Sequence, residues 1–414
     1  MRTLQAELIH RQLDCGIELA ACVMPDRHTA SLGIRVLTGM TDEPADMLGL
    51  SRFVEDTIDK GTEQRDGRAL ADAFDAIGAQ RSSWTGRQAT GFSCLCLSEF
   101  LPEVIDLHAE LLRTPTFPQE ACDVARELGH QELSALEDDA RELTDKYLAR
   151  QTYGPVLGRH PLGEVDTIAR IDRDVIVKHW GAYFAAGRMQ VALAGALDID
   201  AVIDRFERAF EGFGSAEHAG RDSVDFAFEP KSTHYAKDLE QQQLAVCYPG
   251  VPITDEKYPV ERIMLGVLAG GMSARLFTEV REKQGLVYWV DAWNDHPRGT
   301  GMIHLGASSK PERCHKTYET LLREIDRLSE DLTEDELQRA VSGILIRSET
   351  RGDVTQARRG ELADDLYHHG RPVRRDEKIA KIQAVTIDDI KAYLADHPRD
   401  RLGVVTVGPR ELQI

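Results

Sequence analysis

The chain has 414 residues, of which 50 are Lys or Arg and 70 are Asp or Glu, so its net charge with neutral histidines is −20. With 42% hydrophobic residues it can bury ordinary cores, and at about 150 residues per domain its length corresponds to two or three domains. The negative excess repels phosphate backbones and anionic lipid head groups, and no Lys/Arg block interleaved with aromatic residues occurs. We therefore expect a folded protein that binds neither nucleic acid nor membranes.

The sequence predicts neither a secretory signal nor a membrane span. The N-terminal stretch MRTLQAELIHRQLDCG has a charged or polar residue every few positions, and no run of about 18 apolar residues follows it. The seven cysteines form no C-x-x-C pair, which fits reduced thiols better than a disulfide framework. These features predict a cytoplasmic location.

The first half of the chain alternates between strand and helix patterns. Strands are predicted over ELIHRQLDCGIELAACVMP and HTASLGIRVLTG, where β-branched and apolar residues recur between turn-forming breaks. Apolar spacings of three and four then predict helices over 47–62 and 65–79. Strands are predicted again over 82–98, followed by helices between 99 and 152 and at 172–183, a strand at 189–197 and a helix from Asp198 to 212.

Residues 215–232 lose apolar periodicity and gather Ser, Gly, Asp and Pro, which predicts a linker. After it a strand, helices over YPVERIMLGVLAGG and MSARLFTEVREKQG, two strands, several helices and a last strand, LGVVTVG, repeat the earlier order. Gly195 and Gly408 end similar strands 213 residues apart, and Gly49 and Gly271 precede similar helices 222 residues apart. Such near-constant offsets indicate a duplicated domain of about 200 residues.

The predicted fold class is therefore α+β, with two similar domains that each consist of a mainly antiparallel sheet flanked by helices. The predicted domains are residues 1–214 and 233–414, joined by the linker at 215–232.

Several segments resemble the insulinase/pitrilysin family of zinc metallopeptidases. GLSRFVEDTIDKGT at 49–62 is similar to the family's zinc helix, whose pattern is G-x-x-H-F-L-E-H followed by an apolar pair and K-G-T. YGPVLGRHPLGEVDTIARI at 153–171 resembles its H-P-L-G segment, and LAGGMSARLFTEVREKQGLVYWV at 268–290 resembles the S-R-L-F and R-E-x-x-G-L-x-Y segment of the second domain. The resemblance implies a fold like that of mitochondrial processing peptidase, with the second domain contributing to peptide hydrolysis.

The zinc motif of this chain departs from the family pattern. In the H-x-x-E-H motif two histidines four residues apart on one helix face hold the metal, with a general-base Glu between them. Here Arg52 and Asp56 occupy the histidine positions, and Glu55 retains the general-base position. The family spacing places the third ligand at Glu132.

An arginine offers no lone pair, so Arg52 cannot bind zinc. We hypothesise that its guanidinium pairs with Asp56 and with Glu55 or Glu132. The alternatives are an ordinary exposed pair between Arg52 and Asp56, or a metal held by carboxylates alone. We therefore expect no zinc on this chain.

The Arg and Tyr that the resemblance assigns to substrate binding are present as Arg281 and Tyr288. In the family this pair holds the substrate backbone and stabilises the oxyanion. Both side chains are hydrogen-bond donors that can stabilise the negative charge that develops on the substrate. The alternative is that Arg281 makes a surface salt bridge and Tyr288 is a core aromatic.

The resemblance implies a non-catalytic, substrate-binding subunit, inactive alone, that supplies Arg281 and Tyr288 to the zinc site of an H-x-x-E-H partner chain. The alternatives are an inactive homodimeric scaffold or peptide-binding protein, and a residual hydrolase with a carboxylate-only metal site.

Overall fold

A computed structural model describes residues 7–214, 224 and 227–413. Eleven strands are described: β1 (Glu7–Gln12), β2 (Glu18–Val23), β3 (Thr29–Val36), β4 (Gln80–Thr85), β5 (Thr90–Leu97), β6 (Met189–Gly195), β7 (Lys231–Ala236), β8 (Gln242–Pro249), β9 (Val287–Asp295), β10 (Met302–Ser309) and β11 (Gly403–Gly408).

The α-helices of the described residues are α1 (Leu50–Thr57), α2 (Gly67–Ala76), α3 (Leu101–Arg113), α4 (Gln119–Asp138), α5 (Ala140–Leu157), α6 (Val165–Ile168), α7 (Arg173–Tyr183), α8 (Ile199–Phe210), α9 (Tyr258–Ala269), α10 (Cys314–Asp331), α11 (Glu334–Gly352), α12 (Thr355–His369), α13 (Arg375–Gln383) and α14 (Ile387–Asp396).

The first of two compact units contains a six-stranded sheet in the order β1-β2-β6-β3-β5-β4. Only β2 and β6 pair in parallel, and the other neighbours are antiparallel. All seven residues of β6 are buried, because helices cover both faces of the sheet at its centre. Strand β4 lies at one edge and is mostly exposed, and among the described residues no strand pairs with the outer side of its backbone.

The second unit contains a five-stranded sheet in the order β7-β11-β8-β10-β9. Among its described strands only β7 and β11 pair in parallel, and this pair corresponds to β2 with β6 in the first sheet. Gly195 and Gly408 end the corresponding strands β6 and β11, and both have a positive φ, of 145° and 153°. The strand orders match except for β1, and the predicted fold of two similar, mainly antiparallel α+β domains is confirmed.

The compact units differ from the two halves of the sequence by an exchange of helices. Helix α5 lies in the first half of the sequence but packs on the second sheet, where Leu148, Tyr153 and Leu157 contact β8 and β11. Helix α12 lies in the second half but packs on the first sheet through Leu362 and Leu366. An apolar helix face indicates that the helix is buried, and it does not indicate which sheet covers it.

Two local predictions differ from the structure. Most of the predicted linker lies outside the described residues, and its last two positions, Lys231 and Ser232, begin strand β7. This strand was not predicted because its sequence, KSTHYA, has little apolar alternation. The helix predicted over MSARLFTEVREKQG contains a seven-residue π-helix at Phe277–Lys283. Within the described residues, no helix is both long enough and apolar enough to span a bilayer.

Candidate functional site

The site begins with α1, whose first turn is held by a buried carboxylate. Glu43 is 4% exposed and accepts hydrogen bonds from the backbone N–H groups of Gly49, at 3.0 Å, and Ser51, at 2.8 Å. Burial raises the pKa of Glu43 to about 7, although both N–H groups favour its charged form. Gly49 itself has a φ of 97°, a conformation that favours glycine. Glu43 therefore ties the start of α1 to the preceding loop.

Helix α1 buries one face and presents three charged side chains on the other. Leu50, Phe53, Val54 and Thr57 are buried, whereas Arg52, Glu55 and Asp56 are partly exposed. These three are the positions that correspond to H-x-x-E-H.

The Arg52 guanidinium joins two carboxylates from different helices. Its Nε donates to Asp56 Oδ2 at 3.2 Å on the same helix, and its Nη2 donates to Glu132 Oε1 at 3.0 Å on α4. Burial alone would lower the pKa of Arg52, but Asp56, Glu132 and Glu55 outweigh it and raise this pKa above its usual value. The structure thus has the hypothesised pairing, and Glu132 rather than Glu55 is the second partner.

Glu55 is held by strand β4 instead of by Arg52. The Thr85 hydroxyl donates to Glu55 Oε2 at 2.7 Å, and Thr85 lies in the exposed edge strand of the first sheet. The sequence alone does not identify Thr85 or Glu43 as site residues. Their roles depend on the hydrogen bonds to Glu55 and from the start of α1, and no sequence motif indicates these contacts.

The residues at this position do not fit a zinc ion. Catalytic zinc usually has three protein ligands with nitrogen donors among them. Here the Arg52 guanidinium, which has no lone pair to give to a metal, contacts the carboxylates of Asp56 and Glu132. In the part of the chain that the structure describes, no group of three or more His, Cys, Asp or Glu side chains is placed to hold a metal ion.

A groove of about 540 Å³ adjoins the Arg52 cluster. Its polar wall includes Arg52, Asp56 and Glu132, and its apolar wall includes Val124 and Leu128 of α4, which are 52% and 51% exposed. A groove with one apolar and one charged wall is suited to a segment of peptide.

Arg281 and Tyr288 lie in the second unit, at the end of the π-helix and near the start of the edge strand β9. Tyr288 is 66% exposed, so it is not a core aromatic. Arg281 is exposed, with its guanidinium carbon 4.9 Å from the centre of the Phe277 ring, and among the described residues it forms no ion pair. Both side chains are thus available to groups outside their own unit.

The segment before Arg281 is fixed by a buried ion pair. Arg275 is 6% exposed and donates to both oxygens of Glu336, at 2.7 and 2.8 Å, and to Asp331 Oδ1 at 2.8 Å. Arg275 is the arginine of the S-R-L-F segment, and through this network it anchors the start of the π-helix.

Comparisons with known proteins cover most of the chain. Residues 20–163 match the family model described as insulinase (peptidase family M16), and residues 170–344 match the model described as peptidase M16 inactive domain. An uncharacterised zinc protease of Streptomyces coelicolor is 29% identical over 95% of this chain and 88% of its own length. The uncharacterised zinc protease YmxG of Bacillus subtilis is 25% identical over 91% of this chain and 92% of its own length.

Two solved structures share the fold. A peptidase M16 inactive domain from Pseudomonas fluorescens has a TM-score of 0.90 at 19% identity, covering 99% of both chains. A protease from Helicobacter pylori has a TM-score of 0.88 at 14% identity, covering 97% of this chain and 99% of the other. The fold and the altered helix therefore define a two-domain, peptidase-like protein. The chain belongs to the insulinase family of peptidases, family M16.

Proposed function

We propose that this chain is the non-catalytic, peptide-binding subunit of a dimeric zinc peptidase. It supplies Arg281 and Tyr288 to the zinc site of a partner chain that carries H-x-x-E-H, and it binds no zinc itself. The observation that carries this proposal is the position of Arg52, whose guanidinium contacts Asp56 and Glu132 where a metal would need free ligands.

The exposure of Arg281 and Tyr288 supports the second part of the proposal. A guanidinium and a phenol are both hydrogen-bond donors, and neither side chain is buried in its own unit. Donors aimed at the oxyanion of a tetrahedral intermediate accelerate peptide hydrolysis because they stabilise charge that develops only in the transition state. This is chemistry that an exposed pair can contribute to a zinc site on another chain.

The edge strand β4 supports binding of an extended peptide. Its backbone N–H and C=O groups on one side have no neighbouring strand in the described sheet, and it contacts Glu55 through Thr85. A peptide that adds a strand at such an edge gains main-chain hydrogen bonds without a requirement for one side chain. A peptide held there would lie beside α1.

The test uses the full chain mixed with a companion H-x-x-E-H chain, identified by co-purification or by a neighbouring reading frame. We expect metal-dependent cleavage of peptides only in the mixture. Arg281→Ala and Tyr288→Phe should each lower kcat/KM by on the order of 10². The control Arg374→Met, at a surface position 61% exposed, should leave the rate unchanged. Equal rates for wild type and both site variants would overturn the proposal.

An inactive homodimeric scaffold or peptide-binding protein is the second candidate. The exposed edge strand and the groove beside α4 support this candidate as well as the first one, since a peptide can bind to them without a zinc-containing partner chain. It predicts a self-associated particle that binds peptide and gains no cleavage activity from any H-x-x-E-H chain.

A further inference from the structure

Strand β9, at an edge of the second sheet, carries an alternating pattern of aromatic and acidic residues. Residues at every second position of a strand share one face of the sheet, and on β9 these are Trp289, Asp291, Trp293 and Asp295. Val290 and Ala292 lie on the opposite face, against the hydrophobic core. The role proposed above for Tyr288 uses none of the four side chains.

The chain itself covers this face only in part. Helix α5 packs on the face over β8 and β11, whereas Trp289, Asp291 and Trp293 of β9 remain partly exposed. In the described sheet no strand pairs with the outer side of β9. An extended segment at this edge would therefore lie directly beside these three side chains.

The two indole rings converge over Gly306, the residue of β10 that pairs with Asp291. An added Cβ at Gly306 would lie 2.5 Å from Trp289 Cη2 and 3.3 Å from Trp293 Cη2. The two ring centres are 6.4 Å apart. Trp293 also stacks on His304, with 5.5 Å between the ring centres and 10° between the planes. The small residue on β10 thus makes room for an aromatic platform beside the Asp291 carboxylate.

The Asp291 carboxylate has one oxygen engaged and one open. Its Oδ1 accepts the N–H of Ala292 at 2.8 Å, which holds the side chain along the strand. Its Oδ2 accepts no hydrogen bond, and the carboxylate forms no ion pair, among the described residues. Partial burial raises the pKa of Asp291, and Arg141 opposes this. A partly buried carboxylate with an open oxygen favours a cationic hydrogen-bond donor as its partner.

A cation of the chain itself lies on the platform. The guanidinium carbon of Arg141, in the first turn of α5, is 3.6 Å from the ring centre of Trp289. Arg141 is exposed, and within the described part of the chain its guanidinium has neither a hydrogen bond nor an ion pair. An exposed cation–π contact of this kind is weak, so a second cation can replace it. Arg141 thus indicates which chemical group the platform accepts.

We propose that Trp289, Asp291 and Trp293 form a subsite for a basic side chain, Arg in preference to Lys, of a peptide that pairs with the outer edge of β9. The proposal rests on the proposed function, namely that the chain binds extended peptides. A guanidinium in the subsite takes the place of Arg141 on the indole and donates to the open oxygen of Asp291. Because β9 is itself the edge strand, the peptide residue opposite Asp291 has its Cβ about 5 Å away on the same face.

The test measures binding of fluorescein-labelled extended peptides to the full chain by anisotropy. The peptides differ only in Arg, Lys, Gln or Glu at one central position. We expect the Arg peptide to bind about tenfold more tightly than the Gln peptide, with the Lys peptide between them because Lys lacks the planar donor group. Asp291→Asn keeps an acceptor for the Ala292 N–H and should abolish this preference. The matched control Asp174→Asn, at a surface carboxylate 93% exposed, should leave it intact.

Variants of the two stacked residues give a second readout. Arg141→Ala should tighten binding of the Arg peptide by about two- to fivefold, since the peptide no longer displaces a cation from the indole. Arg374→Ala removes the same charge at a surface position 61% exposed and should leave the affinity unchanged. Trp289→Leu should lose most of the preference for Arg over Gln. Asp291→Asn should have nearly the wild-type Tm, which separates loss of the subsite from loss of the fold.

The outcomes separate the two proposals. If all peptides bind equally well, the basic subsite is overturned and the peptide-binding function stands. If no peptide binds, the peptide-binding function is overturned, and the subsite with it. A preference for Arg that is equal in Asp291→Asn and Asp174→Asn would arise from the overall negative charge of the chain and would overturn the subsite. Weaker binding of the Arg peptide to Arg141→Ala would also overturn it, because Arg141 would then assist the peptide instead of competing with it.

Discussion

Arg52 Nη2 lies 3.0 Å from Glu132 Oε1, so a hydrogen-bonded ion pair links α1 to α4 across 80 residues of sequence. The same guanidinium binds Asp56 one helical turn away. In H-x-x-E-H relatives the corresponding positions provide ligands to a metal. Here Arg52, Asp56 and Glu132 instead form a salt-bridge network between α1 and α4.

Replacing the two altered positions together should create a zinc site. Arg52→His with Asp56→His places two imidazoles at i and i+4 on α1, with Glu132 of α4 as a third ligand. We expect the double variant to bind about one zinc per chain, measured by elemental analysis after gel filtration.

Adding Glu132→Gln to that variant is the matched control and should weaken zinc binding. A double variant without bound zinc would contradict the inference that α1 and α4 retain the geometry of a metal site.

Loss of Arg52 alone should have a small effect on stability. Its side chain is 31% exposed, and those of Asp56 and Glu132 are 39% and 44% exposed, so solvent screens both pairs. We expect Arg52→Ala to lower the free energy of unfolding by roughly 0.5–1 kcal/mol in urea denaturation, and by less in about 1 M salt. A loss that is independent of salt would indicate packing rather than charge.

Replacing Arg275 should lower the free energy of unfolding much more than replacing Arg281, although the two residues are only six positions apart. Arg275→Met removes the buried arginine from Glu336 and Asp331, whose side chains are 20% and 44% exposed and stay partly solvated, so we expect a loss of about 1–3 kcal/mol in the free energy of unfolding. Arg281→Ala should change it by less than about 0.5 kcal/mol, because the side chain is exposed. Comparable losses in both variants would contradict the assignment of Arg281 to substrate rather than to the fold.

Glu43 should make stability depend on pH. Burial raises its pKa from 4.5 to about 7, so between these values the folded chain keeps a proton that the unfolded chain has lost. The free energy of unfolding should therefore fall as pH rises from about 4.5 to about 7, by on the order of 3 kcal/mol from this group. Glu43→Gln does not titrate, and its urea denaturation should show a flatter pH dependence. An unchanged slope would show that Glu43 ionises at its ordinary pKa.

The sequence predicted features that depend on local spacing. The helix that carries Arg52 follows from its apolar periodicity, and the pair with Asp56 follows from the i, i+4 relationship. The duplication is predicted from the near-constant offsets between Gly195 and Gly408 and between Gly49 and Gly271, and in the structure the first pair ends β6 and β11 with a positive φ at both positions.

Features that depend on distant contacts were not predicted. The exchange of α5 and α12 between the sheets and the hydrogen bond from Thr85 to Glu55 each join residues far apart in sequence. The sequence also does not predict the π-helix that contains Arg281, because apolar spacings of three and four do not distinguish it from a regular helix.

The most direct test of the account is the zinc content and peptidase activity of the purified wild-type chain, measured alone after equilibration with buffered zinc. The account predicts no stoichiometric zinc and no cleavage by the chain alone, because Arg52 occupies the contacts of Asp56 and Glu132. About one tightly bound zinc per chain, with cleavage that a chelator abolishes, would contradict it.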